Sequence, residues 1–205
     1  MVMVIRRQPS QLRDIDEAES LLAPDELARM HRFAREADRL RYLTAWSLVR
    51  QTLADLTGQA PRDLMFDRTC TLCGHASHGK PRLVGSPWEF SLSHAGDRVL
   101  LALAENRPVG VDIEPVDAPI DTVAHLVLHP DDPPVTGPDL VRIWVRKEAV
   151  AKVTGHGLAR PMTSFTASPA PPGLAVHDLP DDDGYVAALA TISSTLVDLG
   201  LKVVS

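Results

Sequence analysis

Two acidic residues alternate with apolar ones in the run Val109–Glu114. Successive side chains of a β-strand point to opposite faces, so the three apolar residues are expected in the core while Asp112 and Glu114 share the other face. Two neighbouring carboxylates repel each other unless a cation or hydrogen-bond donors compensate them. Oxygen ligands suit a hard cation such as Mg²⁺, or Mn²⁺ in its place. A strand with a solvated acidic face is the alternative interpretation.

A second group of chemically active side chains falls on one face of a predicted helix. Trp144, Glu148 and Lys152 follow one another at intervals of four residues, which places them on one stripe of an α-helix. This stripe offers a further carboxylate and a cation close to each other. An ordinary surface Glu–Lys pair is the alternative, although a Trp on the same stripe argues against full solvation.

Two shorter segments have residues suited to an anionic ligand. Lys80 lies between Gly79 and Pro81, with Arg82 beside them, and a Lys and an Arg in one turn suit a phosphate. The run Phe90–His94 alternates as a strand does and ends on His94, preceded by Ser93. A His at a strand end can meet a ligand, or it can make a purely structural hydrogen bond.

A polar loop between Asp67 and Pro81 holds four potential metal ligands, Cys70, Cys73, His75 and His78. Thiolates and imidazoles are the ligands that Zn²⁺ prefers, so a structural zinc ion holding the Lys80 loop is one hypothesis. The spacing is tighter than in common zinc fingers. Reduced cysteines in a turn, with His78 near a ligand, are the other interpretation.

The elements that must position these residues are mixed. The hydrophobic pattern predicts helices from Asp14 to about Gly58 and at Asp139–Thr154, and a loop with at most one short helix in the proline-rich Ala118–Asp139. Strands are predicted at Met1–Ile5, Leu64–Phe66, Glu89–His94, Arg98–Glu105, Val109–Glu114 and Tyr185–Ile192. Helices combined with largely antiparallel strands indicate an α+β fold.

Composition excludes several classes of function. The 205 residues are 44% apolar and 23% charged, which is typical of a globular chain. A net charge of −6 disfavours nucleic acid as a partner. The longest apolar run, Val99–Ala104, is far too short to span a membrane, and Arg6 and Arg7 interrupt the only candidate signal peptide. With two cysteines, a cytoplasmic location is expected.

Together, these motifs resemble the Sfp-type 4′-phosphopantetheinyl transferases. Members of that family have a Gly-Lys-Pro, a strand ending in Ser-His, a Val-Gly-Val-Asp-Ile-Glu type run, a Trp-x-x-Lys-Glu-Ala-x-x-Lys helix and a Thr-Gly-x-Gly-Leu turn. All five occur here, in that order, at Gly79–Pro81, Phe90–His94, Val109–Glu114, Trp144–Lys152 and Thr154–Leu158. The resemblance extends over roughly residues 15 to 195.

The resemblance implies an α+β fold of two similar halves related by a pseudo-twofold, here Met1–Arg107 and Pro108–Ser205. It implies an enzyme that moves the phosphopantetheine arm of coenzyme A onto a serine of an apo carrier protein and releases 3′,5′-ADP. The carriers would be acyl or peptidyl carrier proteins of fatty-acid, polyketide or nonribosomal-peptide synthesis. A monomer is expected.

The resemblance also implies roles for individual residues. Asp112, Glu114 and Glu148 would hold Mg²⁺, with Glu148 also acting as the base and Lys152 neutralising or protonating the departing phosphate. Coenzyme A would contact a further set of side chains: Arg29, Arg41, Lys80, Pro81, Ser93, His94 and Lys152. One basic position of relatives is Glu26 here, which disfavours that contact, and Asp131 or Asp132 is a candidate for an additional acid near the metal.

Two other classes of function stay open from the sequence. A catalytically inactive module that binds coenzyme A or a carrier would keep Lys80 and His94 and lose a carboxylate, yet all the carboxylates are present. A Mg²⁺-dependent pyrophosphate hydrolase would use the same carboxylates and would act on coenzyme A without any carrier.

Overall fold

The fold is taken from a computed structural model, which describes residues 1–155, 160–192 and 202–204. Within those ranges, no helix combines the length and the apolar character needed to cross a bilayer. Of the predicted turn Thr154–Leu158, residues 156–158 lie outside the described part of the chain.

Three helices occupy the region that the sequence predicted to be helical. They are α1 (Ile15–Leu21), α2 (Pro24–Met30) and α3 (Glu36–Thr57). The Asp14 side chain caps α1 by accepting a hydrogen bond from the Glu17 backbone N–H at 2.9 Å. Helix α3 is capped at Gly58, whose left-handed φ of 71° favours glycine, so the helical region ends where the sequence predicted.

The first sheet consists of strands β1 (Val2–Arg7), β4 (Trp88–Ala95), β5 (Arg98–Glu105) and β9 (Lys202–Val204), in the order β4-β5-β1-β9. Strand β1 is antiparallel to β5 and parallel to β9. One side of this sheet packs on α3 through a core that includes Trp46, Val49, Leu53 and Phe90. The sheet therefore contains residues from both ends of the chain.

The second sheet has the order β6-β8-β7, with β6 (Val109–Pro115), β7 (Leu174–Asp178) and β8 (Tyr185–Ile192). One face packs on α5 (Gly137–Thr154), and the other meets the first sheet, where Val109, Val111 and Ile113 share a core with Leu100 and Ala102. Strand β6 is therefore enclosed by a helix on one side and a sheet on the other.

The remaining elements are short. A two-stranded pair joins β2 (Phe66–Asp67) to β3 (Arg82–Leu83), and α4 (Ala124–Val127) follows a 3₁₀ turn. The strand predicted at Leu64–Phe66 was misplaced, because Leu64 is buried in the α3 core ahead of the strand. The α+β class is confirmed. The division into two pseudo-symmetric halves at residue 107 stays a prediction.

Candidate active site between β4, β6 and α5

The centre of the site is Asp112 on β6. The predicted alternation is confirmed, since Val109, Val111 and Ile113 are buried on the face opposite to Asp112. Asp112 is itself only 4% exposed, so a solvated acidic face is the wrong interpretation for this residue. Ser93 on β4 donates a hydrogen bond from Oγ to Asp112 Oδ1 at 2.7 Å. A hydrogen-bond donor and a buried setting therefore hold one oxygen of the carboxylate.

Helix α5 supplies a cation to the same oxygen. Lys152 Nζ donates to Asp112 Oδ1 at 2.6 Å and to the Val111 carbonyl at 3.0 Å. The close approach of α5 to β6 depends on Gly110, where an added Cβ would collide with the carbonyl of Ala149. Lys152 therefore pairs with Asp112 across two elements, and the interpretation as an ordinary surface pair with Glu148 is wrong.

The three predicted carboxylates influence one another. Burial, followed by the charge of Asp112, raises the pKa of Glu114 to about 7. Burial and then Asp112 also raise the pKa of Glu148. Asp112 Oδ2 is buried and has no hydrogen-bond partner in the described part of the chain. An all-oxygen set with one unpartnered buried oxygen fits a hard divalent cation.

The three carboxylates are nevertheless not tightly clustered. Among the described residues, they do not bring one oxygen each within 4.8 Å of one another, as two thiols and an imidazole elsewhere do. The charge of Asp112 reaches both glutamates, and that of Glu148 reaches Glu114. The arrangement therefore concentrates negative charge at one place and leaves room between the side chains.

A cavity of about 580 Å³ opens beside this charge cluster. Lys80, Pro81 and Lys152 line it, together with the apolar side chains of Trp46 and Phe90. Lys80 Nζ donates to the Val109 carbonyl at 2.7 Å. Burial, more than any neighbouring charge, lowers the Lys80 pKa to about 8. Both lysines therefore hold β6 by its carbonyl groups and present positive charge to the cavity.

His94 and Arg41 lie close together at the end of β4. Arg41 donates from Nε to the Gly96 carbonyl at 2.5 Å and pairs with Asp38 at 2.8 Å. His94 is exposed as a residue, yet desolvation and then the Arg41 charge lower the pKa of its imidazole. His94 is therefore neutral at pH 7, and one ring nitrogen can donate to an anion.

Arg29 lies in a different place from the other predicted contacts of coenzyme A. Its guanidinium is 6.0 Å from the centre of the Tyr42 ring and lines a separate hollow of about 670 Å³. Arg68 lines both this hollow and the cavity that contains Lys80. The structure therefore does not bring Arg29 to Lys80 or Lys152, and its role stays a prediction.

Two buried ion pairs account for acidic residues that the sequence left open. Glu26 is 3% exposed and pairs with the buried Arg50 of α3 at 2.5 Å. Asp132 pairs with the buried Lys147 of α5, so its carboxylate is not available as an additional metal ligand. Sequence reasoning missed both pairs because their partners are 24 and 15 residues apart.

Three of the four residues in the predicted zinc loop come together. Cys70, Cys73 and His78 line the cavity, and one ligand atom of each lies within 4.8 Å of the others. Backbone N–H groups of Cys73 and Leu72 lower the pKa of the Cys70 thiol to about 7. His75 is not part of this group.

Comparisons with known proteins identify a family for the chain. A model of the 4′-phosphopantetheinyl transferase superfamily matches residues 108–190, and a model of the 4′-phosphopantetheinyl transferase N-terminal region matches residues 8–106. The chain is 30% identical to the 4′-phosphopantetheinyl transferase HetI of Nostoc sp., over 88% of this chain and 81% of HetI.

Two relatives from bacilli also match over most of both chains. The transferase psf-1 of Bacillus pumilus is 28% identical, over 89% of this chain and 80% of its own length. The transferase Sfp of Bacillus subtilis is 26% identical, over 79% of this chain and 73% of its own length. The residues matched by the two family models include β4, β6 and α5. We conclude that the chain belongs to the 4′-phosphopantetheinyl transferase superfamily.

Proposed function

We propose that the protein transfers the 4′-phosphopantetheine arm of coenzyme A to a serine of an apo acyl or peptidyl carrier protein, with Mg²⁺ as the cofactor. The observation that carries the proposal is the buried Asp112, which has Lys152 on one oxygen and an unpartnered second oxygen beside Glu114 and Glu148. When bound there, Mg²⁺ would stabilise the negative charge that develops on the pyrophosphate oxygens.

Residues of this chain carry out the proton transfer and stabilise the leaving group. Glu148, whose pKa is raised by burial, takes the proton from the carrier serine as its oxygen attacks the phosphorus that bears the pantetheine arm. The bond from that phosphorus to the bridging oxygen breaks, and 3′,5′-ADP leaves with the electron pair. Two of the three N–H groups of Lys152 bind Asp112 and Val111, so the third is available to the leaving phosphate.

Coenzyme A would lie along the cavity. Lys80 and Pro81 line its wall, and the nucleotide phosphates would find positive charge at Lys80 and Lys152. Ser93, which binds Asp112, adjoins His94, and the neighbouring Arg41 adds a cation for a phosphate group. The proposal includes a monomeric protein in the cytoplasm, and the two free thiols are consistent with a reducing compartment.

The test is incubation with coenzyme A, Mg²⁺ and a panel of apo carriers of fatty-acid, polyketide and nonribosomal-peptide synthases, read by mass spectrometry. We expect one carrier or more to gain one phosphopantetheine group. An arm without a carrier separates the transferase from a hydrolase, which would release 3′,5′-ADP from coenzyme A alone. No transfer to any carrier, together with carrier-independent cleavage, would refute the proposal.

Glu148→Gln tests the residue assigned as base. We expect it to remove most of the transfer, by about 10²–10⁴-fold if general-base catalysis is lost. Asp139→Asn, an exposed acid on the same helix, is the matched control and keeps activity. Circular dichroism checks that both variants fold. Wild-type turnover in Glu148→Gln would remove Glu148 from the mechanism.

A further inference from the structure

The loop from Arg68 to Gly79 is closed at its base by a backbone hydrogen bond. Its tip, residues 71–78, buries no apolar side chains. The Gly79 N–H donates to the Arg68 carbonyl at 2.7 Å. A Cβ on Gly79 would lie 2.5 Å from the Thr69 carbonyl oxygen, so only glycine permits this closure. Every residue from 71 to 78 is exposed. Apolar burial therefore does not hold the tip in place, and another interaction must supply its order.

The tip concentrates soft metal ligands. Cys70, Cys73 and His78 each bring a ligand atom within 4.8 Å of the others, and Cys73 Sγ is 3.1 Å from His78 Nε2. Around a tetrahedral Zn²⁺ with bonds of about 2.0–2.3 Å, ligand atoms are roughly 3.5 Å apart, so the observed spacing is already close to that geometry.

Backbone hydrogen bonds also bring the ligands at the tip together. The Gly74 N–H donates to the Cys70 carbonyl at 2.9 Å, and the Cys70 N–H donates to the His75 carbonyl at 2.8 Å, which folds the Cys-x-x-Cys segment into a tight turn. This turn brings the Cys70 and Cys73 thiols close together and next to the His78 imidazole.

His75 lies outside the cluster. Its Nδ1 accepts a hydrogen bond from the Ser77 backbone N–H at 3.3 Å. Its ring stacks on that of His78, with centroids 4.9 Å apart and an interplanar angle of 10°. The cluster therefore holds three of the four residues that the sequence analysis named.

We propose that Cys70, Cys73 and His78 form a Zn²⁺ site on the wall of the cavity, and that the metal orders the loop that leads to Lys80. Two thiolates and an imidazole select Zn²⁺ over the hard cations that suit the carboxylate site. All three ligands line the cavity, and with three protein ligands the fourth position of a tetrahedral Zn²⁺ would be open to solvent. His78 precedes Lys80 by two residues, so fixing His78 limits where the Lys80 ammonium can lie.

Elemental analysis of protein purified without added metal tests the site, and it does not depend on turnover. We expect about one Zn per chain. Cys73→Ser and His78→Ala should lose the metal, while His75→Ala, the matched control on the same loop, should keep it. Replacement of the metal by Co²⁺ should give a thiolate-to-cobalt charge-transfer band and strong visible bands typical of tetrahedral coordination. Circular dichroism confirms that each variant folds.

Each outcome decides one part of the proposal. Metal-free wild-type protein that also shows no charge-transfer band with Co²⁺ would overturn the site. Loss of zinc from His75→Ala equal to that from His78→Ala would overturn the three-ligand set.

The ordering role rests on the proposed function and has a separate readout. We expect Cys73→Ser to raise the KM for coenzyme A several-fold, because the metal no longer fixes the loop that leads to Lys80. An unchanged KM in a zinc-free variant would refute the role of the metal in positioning Lys80 and leave the transferase assignment intact.

Discussion

Gly110→Ala offers a direct test of how the fold positions the site. In the variant, the backbone nitrogen of Val153 would lie 2.6 Å from the new Cβ, and the carbonyl oxygen of Ala149 would be closer still. Non-bonded heavy atoms are comfortable at about 3.5 Å, so α5 must move away from β6 by about 1–1.5 Å. The obstructing atoms belong to the helix backbone, so no change of side-chain rotamer can relieve the contact.

This displacement acts on the two residues assigned to the chemistry, because Glu148 precedes Ala149 and Lys152 precedes Val153. A misplacement of about 1 Å can cost about 10²-fold in rate, which corresponds to about 2.7 kcal/mol of transition-state stabilisation. Overpacking a core also lowers the free energy of unfolding by about 1–3 kcal/mol. At roughly 2–4 °C per kcal/mol, the expected fall in Tm is roughly 2–12 °C.

The assay measures kcat/KM for transfer to an apo carrier, well below the Tm of the variant. Ala54→Val is the matched control, because it overpacks the core under α3 and does not touch α5. We expect it to lower Tm by a similar amount and to leave kcat/KM close to wild type. Wild-type activity and Tm in Gly110→Ala would refute the steric reasoning. Equal losses of activity in both variants would show that the effect is global and has nothing to do with positioning.

Two further outcomes test the electrostatics. Because the pKa of His94 is lowered by burial and by Arg41, the imidazole is neutral at pH 7 and gains its charge only as the pH falls below about 6.5. The affinity for coenzyme A, measured by calorimetry, should therefore rise as the pH falls through that range, beyond the weakening from protonation of the ligand phosphate. His94→Gln should lose the part of the rise that belongs to the imidazole and keep the contributions of the ligand phosphate and of Glu114, and an unchanged pH profile in that variant would contradict the assignment. Lys147→Met should lower the free energy of unfolding by about 3–5 kcal/mol in urea titrations, since it leaves the Asp132 carboxylate buried without its cation. The double change with Asp132→Leu should recover most of the loss, and a single variant as stable as wild type would contradict the importance of the pair.

Local pattern was sufficient to predict which face of a strand or helix each chemical side chain occupies. The alternation of Val109–Glu114 placed Asp112 opposite the apolar residues, and the four-residue spacing placed Glu148 and Lys152 on one stripe of α5. These predictions depend on the geometry of a single helix or strand, which the spacing of its apolar and polar residues indicates.

Ion pairs between residues on different elements could not be predicted in this way. No sequence pattern indicated that Lys152 pairs with Asp112, that Glu26 pairs with Arg50, or that Asp132 is buried against Lys147. Such pairs depend on how elements pack, and any of the chain's many exposed charges would have been an equally good candidate. The Cys-His loop shows the same limit, because spacing alone offered four ligands and the folded loop groups three of them.

The charges of the proposed site explain why a lysine belongs among three acids. With Asp112, Glu114 and Glu148 ionised, the cluster carries three negative charges in a place that disfavours any charge, as the raised pKa of Glu114 shows. Lys152 compensates one of these negative charges. Of the two Asp112 oxygens it binds only Oδ1, so two negative charges and a free Oδ2 are left. A monovalent cation would leave the set under-compensated, whereas a divalent ion balances it. In the proposed site the lysine therefore sets the charge that a bound metal would have to match, and it leaves Oδ2 of Asp112 free for that metal.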